Sequence, residues 1–257
     1  MWLSGIILVI VYIILILEKL NRAVIALFGA MLMIYCGLLS QAQALEKVDF
    51  NTLWLLTGMM MLVNIPAKTG VFQYVAIRSA KWVKADPVGI MLMLAGITAL
   101  FSALLDNVTT VLLTVPITFS ITSQLKVDVM PYLISQILAS NIGGTATLIG
   151  DPPNIMIGSA VKELTFVMFI EHLAPIAVIC MLAVLFIMER IYHKDLVTTP
   201  ERREKLMRMD EKTAIRDHAL LKRALFVLGL TILGFFTHSF THIESSLIAL
   251  TGGFLLL

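Results

Sequence analysis

The sequence predicts an all-α, polytopic membrane fold built from inverted repeats, with a re-entrant hairpin and a broken transmembrane helix. Three observations predict it. First, 59% of the 257 residues are hydrophobic and only 14% charged, with a mean hydropathy of +0.93. Soluble domains hold about 45–50% apolar and about 25% charged residues. Second, apolar runs recur along the whole chain. Third, two polar, Asp-containing stretches, the second of them Gly-rich, interrupt those runs at membrane depth. Such interruptions are what re-entrant hairpins and broken helices look like in sequence.

A helix that crosses a bilayer needs about 20 apolar residues, each rising about 1.5 Å. The apolar runs are 2–17, 23–39, 53–65 with its continuation, 88–105, 111–121, 131–142, 155–161, 166–188, 224–240 and 243–257. The runs 111–121 and 155–161 are too short to span, so they belong to interrupted elements. The apolar N-terminus has no basic n-region and no small-x-small cleavage site, and it reads as a retained span. Cys36 and Cys180 lie inside apolar runs without metal or redox spacing, and the reading is two buried packing cysteines.

Charge sets the expected orientation. Ten of the 19 Lys and Arg residues fall between Arg190 and Arg223. The positive-inside rule places that stretch in the cytoplasm, together with Arg78, Lys81 and Lys84 and with Lys19 and Arg22. The chain then threads consistently. The first span runs inward and the second outward, and the third, broken near Pro66 and Gly70, returns. Residues 88–121 enter and leave on the cytoplasmic side as a hairpin, 131–161 cross outward with an interruption, and 166–188 return. Acidic residues interleave with the bases of the 190–223 loop, so it reads as a solvated connector.

Ile25-Ala26-Leu27-Phe28-Gly29-Ala30 lines up with Ile248-Ala249-Leu250-Thr251-Gly252-Gly253. Each hexamer follows an apolar span and a polar turn, and the threading gives the two spans opposite directions, as inverted repeats require. The expected organisation is a first repeat over 1–189, a basic cytoplasmic loop over 190–223, and the start of a second inverted repeat over 224–257. The chain stops inside an apolar run, which reads as a truncated second repeat.

The chemistry concentrates in the two polar stretches. Leu105-Asp106-Asn107-Val108-Thr109-Thr110 forms the hairpin tip, and Ser140 to Asn154 forms the break. Unpaired polar groups in hydrocarbon cost several kcal/mol, so both stretches must face protein or water. Broken helices supply free N–H groups at their N-terminal ends and free carbonyls at their C-terminal ends. One site can thereby hold an anion on the first and a cation on the second. Carbonyls and the side-chain oxygens of Asp106, Asn107, Thr109, Asn141 and Thr145 suit a hard cation such as Na⁺. Gly143, Gly144 and Gly150 let the backbone turn and approach a ligand.

A carboxylate at a buried hairpin tip is costly, which makes Asp106 a candidate proton or Na⁺ site; its alternative role is capping the helix that follows. Asp151 precedes Pro152-Pro153 and reads as an N-cap with its carboxylate on Ile155 or neighbouring N–H groups, a role compatible with ion coupling. The candidate ion- and substrate-binding set is Asp106, Asn107, Thr109, Thr110, Asn141, Gly143, Gly144, Thr145, Gly150, Asp151 and Asn154, with Na⁺ assigned to Asp106, Asn107 and Gly150. Glu171 and His172 read as a pair near the membrane surface. His238 and His242 have metal-binding spacing without a third ligand and are assigned no site.

The stretch Ser102-Ala103-Leu104-Leu105-Asp106-Asn107-Val108-Thr109-Thr110, followed by Asn141-Ile142-Gly143-Gly144-Thr145-Ala146-Thr147 and Gly150-Asp151-Pro152-Pro153-Asn154, closely resembles the ArsB/NhaD family of the ion transporter superfamily. The similarity is to its P protein-like and citrate transporter-like branch and covers essentially the whole chain. It implies scaffold and transport domains, a homodimer at full length, elevator-like movement, and a Na⁺ or substrate site between hairpin tip and broken helix. Asp106 stands where dicarboxylate relatives carry Ser, and Asp151 where they often carry Thr. The two added carboxylates favour cation or proton coupling.

The expected function is secondary ion transport in a plasma or inner membrane, not enzymatic catalysis. It would be Na⁺/H⁺ antiport or cation-coupled transport of arsenite, a carboxylate or another small anion. The expected partners are the lipid bilayer and that small solute, with no nucleic acid and no cofactor beyond the coupling ion, Na⁺ or H⁺. An intramembrane aspartyl protease would also use two membrane aspartates, but its Tyr-Asp and Gly-x-Gly-Asp signatures are missing around Asp106 and Asp151. An inactive membrane remnant is the third reading.

Overall fold

The computed structural model describes residues 2–161, 163–241 and 243–257, with the side chains of 212 and 238–240 outside the description. The His238 and His242 pair therefore lies outside it. Thirteen α-helices and one 3-10 turn make up the described structure, and no strand is present among the described residues. The chain divides into two compact units, the first ending at Phe50 and the second running Asn51–Leu257.

The first unit holds α1 (Trp2–Ile16), α2 (Arg22–Tyr35) and the short α3 (Gln41–Glu46). Asn21 caps α2 by accepting from the Ala23 N–H at 2.9 Å. Ser40 and Gln43 form a reciprocal capping box at the start of α3. The sequence reading carried the second run to residue 39, but the helix stops four residues earlier. Gly37 has φ +68°, a left-handed conformation that ends helices at little cost.

The second unit begins with α4 (Phe50–Lys68) and α5 (Val71–Trp82). α4 continues through Pro66, where a break was expected, and the chain turns only at Gly70, with φ +85°. There follow α6 (Pro87–Leu104), α7 (Asn107–Leu125), α8 (Met130–Thr145), α9 (Pro152–Ala160) and α10 (Phe166–Tyr192). α6 and α8 form the most extensive helix pair. α7 corrects the sequence reading. Its 19 residues are long and apolar enough to span a membrane, as are those of α4, α6, α10 and the first 20 residues of the helix that begins at His218. Its buried face carries Thr110, Thr114, Thr118 and Thr122, which hid the helix from a search for apolar runs.

α11 (Pro200–Met207) and the 3-10 turn Glu211–Ala214 lie in the connector, which continues into α12 (His218–Thr241) and α13 (Ser245–Leu256). The connector is not simply solvated. Leu196, Leu206 and Ala214 are buried. Arg203 pairs with Asp86 at 2.8 Å, Lys81 pairs with Glu211, and the Thr198 hydroxyl donates to the Leu125 carbonyl at 2.7 Å. Asp86 caps α6 and Leu125 ends α7, so both feet of the hairpin meet the same connector. The few apolar residues that anchor it are spaced among charges and carry no helical period, so the composition concealed the docking.

Two further expectations change. Cys36 and Cys180 are exposed. A helix that is apolar all round has no obligatory inner face, so an apolar neighbourhood does not imply burial against protein. His172 bonds the Met168 carbonyl at 2.8 Å, and no ion pair joins it to Glu171 among the described residues.

Candidate functional site at the hairpin tip and helix break

The α6–α7 tip sits against the segment between α8 and α9. Close backbone approach makes this possible. A Cβ on Gly143 would stand 2.1 Å from the Ala99 carbonyl oxygen of α6, and one on Gly150 would stand 2.6 Å from that of Ser102. Both glycines are buried. The Ser102 hydroxyl donates to the Ser140 carbonyl at 2.6 Å, and the Thr147 hydroxyl donates to the Ala103 carbonyl. Thr147 also accepts from the Gly150 N–H at 3.2 Å. Ser102 and Thr147 lie in the quoted motifs but were given no role from sequence. Their signal was a hydroxyl inside or beside an apolar run, where it must find a partner.

Two aspartates sit at helix starts, but they behave differently. Asp106 precedes α7, and its carboxylate accepts the Thr109 N–H at 2.8 Å, an ordinary N-cap. Asp151 precedes α9, and its carboxylate caps nothing. The expected bond to Ile155 or a neighbour does not form. Pro152 and Pro153 remove two donors. The Asn154 and Ile155 N–H groups instead reach the Asp151 backbone carbonyl, at 3.0 and 3.3 Å.

Asn107 ties the two elements. Its amide donates to Asn141 Oδ1 at 3.1 Å and to Asp151 Oδ1 at 3.5 Å. Asp106 lies within electrostatic range of Asp151. Asp106, Asn107, Asn141 and Asp151 are thus brought together, from α7, α8 and the start of α9. The other candidates surround them. Thr145 is exposed at the end of α8 and donates to the Ile142 carbonyl at 2.7 Å. Asn154 covers the carbonyls that end α8, donating to Thr147 at 2.9 Å and Gly144 at 3.4 Å. Thr109 contributes its N–H to the Asp106 cap, and Gly144 packs beside Gly150. Thr110 is fully buried one position further along α7, and its hydroxyl oxygen has no hydrogen-bond partner among the described groups.

The cluster offers carboxylate and amide oxygens and no side-chain cation. Among the described residues no three His, Cys, Asp or Glu side chains converge as a metal cluster would require. Carboxylate and amide oxygens are hard donors.

An all-helical unit with five membrane-length helices and a polar cluster where a hairpin meets a helix break is the architecture of a polytopic membrane transporter. The chain belongs to the citrate transporter family, which it matches over residues 12–257. It is 38% identical over 250 residues to an uncharacterized transporter of Mycobacterium tuberculosis, covering 96% of this chain and 58% of that protein. It is 37% identical over 244 residues to a 46 kDa membrane protein of Mycobacterium leprae, covering 93% and 57%. It is also 35% identical over 200 residues to the human P protein, covering 72% of this chain and 24% of that one. The chain therefore spans a little over half the length of its mycobacterial relatives. The protease reading finds no support, since Asp106 is engaged as a helix cap and the matching family and the Mycobacterium tuberculosis relative carry transporter names.

Proposed function

We propose that the chain carries a cation site of a secondary active transporter, with Asp151 as the coupling carboxylate and Asn107 and Asn141 as its neutral oxygen-bearing partners. The supporting observation is that the Asp151 carboxylate is left without a helix N–H while Asn107 holds it beside Asn141. Asp106 is given to the cap and acts by field and position. The coupling ion is Na⁺ or H⁺, and Asp106, Asn107 and Gly150 remain within the proposed Na⁺ neighbourhood. A second reading is cation-coupled transport of a small anion such as a carboxylate. The family's description as citrate transporters points the same way.

The whole protein is proposed as a multi-pass component of a plasma or inner membrane, with the connector cytoplasmic and a homodimer as its assembly. The repeat reading gains support from packing. Gly29 and Gly252, matched in the two hexamers, are each the eighth residue of their helix. Each lies against the preceding helix, where a Cβ would meet Val11 Cγ2 at 2.6 Å and Thr231 Oγ1 at 2.3 Å.

The test is flux in proteoliposomes containing the protein at its full natural length, driven by a Na⁺ or a pH gradient. Asp151→Asn should abolish the response to the coupling gradient, and Asp106→Asn should largely retain it. Undiminished coupled flux in Asp151→Asn would remove this carboxylate from the mechanism.

A further inference from the structure

Four buried threonines stand in one row of α7: Thr110, Thr114, Thr118 and Thr122. Three follow the ordinary rule for a hydroxyl inside a helix and return it to the backbone of the preceding turn. Thr114 donates to the Val111 carbonyl at 3.2 Å, Thr118 to that of Thr114 at 3.0 Å, and Thr122 to that of Thr118 at 2.9 Å. Thr110 breaks the rule. The carbonyl four residues back, that of Asp106, takes the Thr110 N–H at 3.1 Å but not its hydroxyl. The residue is 0% exposed, and its Oγ1 is the one buried side-chain polar atom without a hydrogen-bond partner among the described residues. A buried hydroxyl in that condition is costly and needs a ligand to explain it.

Its surroundings say which. Side chains of a helix tilt toward its N-terminus, so Thr110 lies over the turn that begins α7, beside Asn107 three residues back. Asn107 meets α8 through Asn141 at 3.1 Å, and Thr118 meets it by accepting from the Gln136 amide at 2.9 Å. Thr110 stands between these two contacts, so its hydroxyl is turned to the α7–α8 seam directly below the polar cluster.

That cluster has an unmet requirement of its own. Neither Asp106 nor Asp151 is in an ion pair among the described residues. The helix start that Asp106 caps offsets its charge. Asp151 has no such partner, which leaves one negative charge to balance. A trapped water, the bland occupant, would satisfy the hydroxyl and leave the charge. A proton on Asp151 would remove the charge and leave the hydroxyl. A single monovalent metal cation answers both, because it takes oxygen lone pairs from hydroxyl, carboxylate and amide alike.

We propose that the Thr110 hydroxyl is a ligand of the coupling cation, and that this cation is Na⁺ and not a proton. The ligand belongs to the cation site proposed at Asp151 and depends on that reading.

The experiment uses the protein at its full natural length, with NaCl exchanged for choline chloride at constant ionic strength. Thermal unfolding in neutral detergent compares the unmodified protein with Thr110→Val and Thr110→Ser. In choline, Thr110→Val should unfold at the same Tm or slightly above it, because valine keeps the shape and removes a hydroxyl that lacks a partner. Saturating Na⁺ should raise the Tm of the unmodified protein and of Thr110→Ser by about 2–4 °C, and leave that of Thr110→Val nearly unmoved. In proteoliposomes, the Na⁺ concentration for half-maximal flux should rise at least about tenfold in Thr110→Val and far less in Thr110→Ser. Thr110→Ala carries the same comparison where Thr110→Val does not fold. A Tm for Thr110→Val that falls equally in both salts would mean a hydroxyl bonded to water or protein, and would overturn the proposal. Coupled flux driven by a pH gradient without Na⁺ would overturn the choice of ion. Unchanged Na⁺ dependence in Thr110→Val, with coupling lost in Asp151→Asn, would strike the ligand and leave the coupling carboxylate standing. Undiminished coupling in Asp151→Asn would strike the site itself.

Discussion

The starts of α7 and α9 carry the same residue in the same position and use it in opposite ways. Asp106 is followed by Asn107, Val108 and Thr109, all of which have N–H groups, and its carboxylate takes the Thr109 donor. Asp151 is followed by two prolines, which have none, and the Asn154 N–H, the counterpart of Thr109, goes to the Asp151 backbone carbonyl, so its carboxylate meets the Asn107 amide instead. One aspartate holds a helix start and the other makes no cap bond. The two starts differ in where the third N–H turns, to the carboxylate at Asp106 and to the backbone carbonyl at Asp151.

The largest effect that could break this comparison comes from paired substitutions in coupled flux. Asp151→Asn should lower it by at least about tenfold, the equivalent of about 1.4 kcal/mol in the barrier. Asp106→Asn should change it far less, because asparagine caps helices as well as aspartate. If Asp106→Asn proved the more damaging, the assignment of roles would be reversed. Next in size are the glycines that let the tip and the break meet. Gly143→Ala drives a methyl into the Ala99 carbonyl and should destabilise the protein by about 1–3 kcal/mol or more, read as a fall in Tm. Gly96→Ala is the control within α6. No atom stands within 4 Å of its Cβ position, and its Tm should be unchanged or slightly raised.

A subtler substitution sharpens the comparison itself. Pro153→Ala returns an N–H to the second position of α9, where an N-cap side chain bonds. Asp151 should then turn to that donor, with a stability gain of up to about 1 kcal/mol in thermal unfolding and a weaker response to the coupling ion. A variant with higher Tm and full ion response would show that capping and coupling do not compete.

The smallest effect concerns the connector. Lys81, by hydrogen bond and then by charge, holds the Glu211 carboxyl below the usual glutamate range, with Arg78 adding to it. A carboxylate depressed in the folded state contributes stability above its unfolded pKa and loses it as pH falls through the folded value. Proteolytic nicking between α11 and the 3-10 turn should therefore accelerate on acidification below the usual glutamate range. Glu211→Gln should show the faster rate already at neutral pH.

Much of the site could be read along the chain. A polar, Gly-rich stretch inside apolar runs has no bland explanation in a bilayer, so the tip and the break stood out together. Capping was read for both aspartates beside an ion role, and the structure forms the cap at Asp106 and not at Asp151, where Asp-Pro-Pro offers no donor at the first two helical positions. The clamp formed by Ser102 and Thr147 was harder to see, because a hydroxyl in a helix can always turn to its own backbone. The connector was hardest, since Leu196 and Leu206 are isolated apolar residues among charges.

Sequence alone determined that this protein is built of membrane-length helices and which polar residues stand at the hairpin tip and at the break after α8. Those properties follow from hydrophobicity and from backbone donors, which are local. Tertiary structure decided which aspartate is free, that Asn107 reaches Asn141 and Asp151, and that the connector grips the feet of the hairpin. Those are questions of which groups meet across distances of 34 to 130 residues, and no local pattern encodes the outcome of that competition.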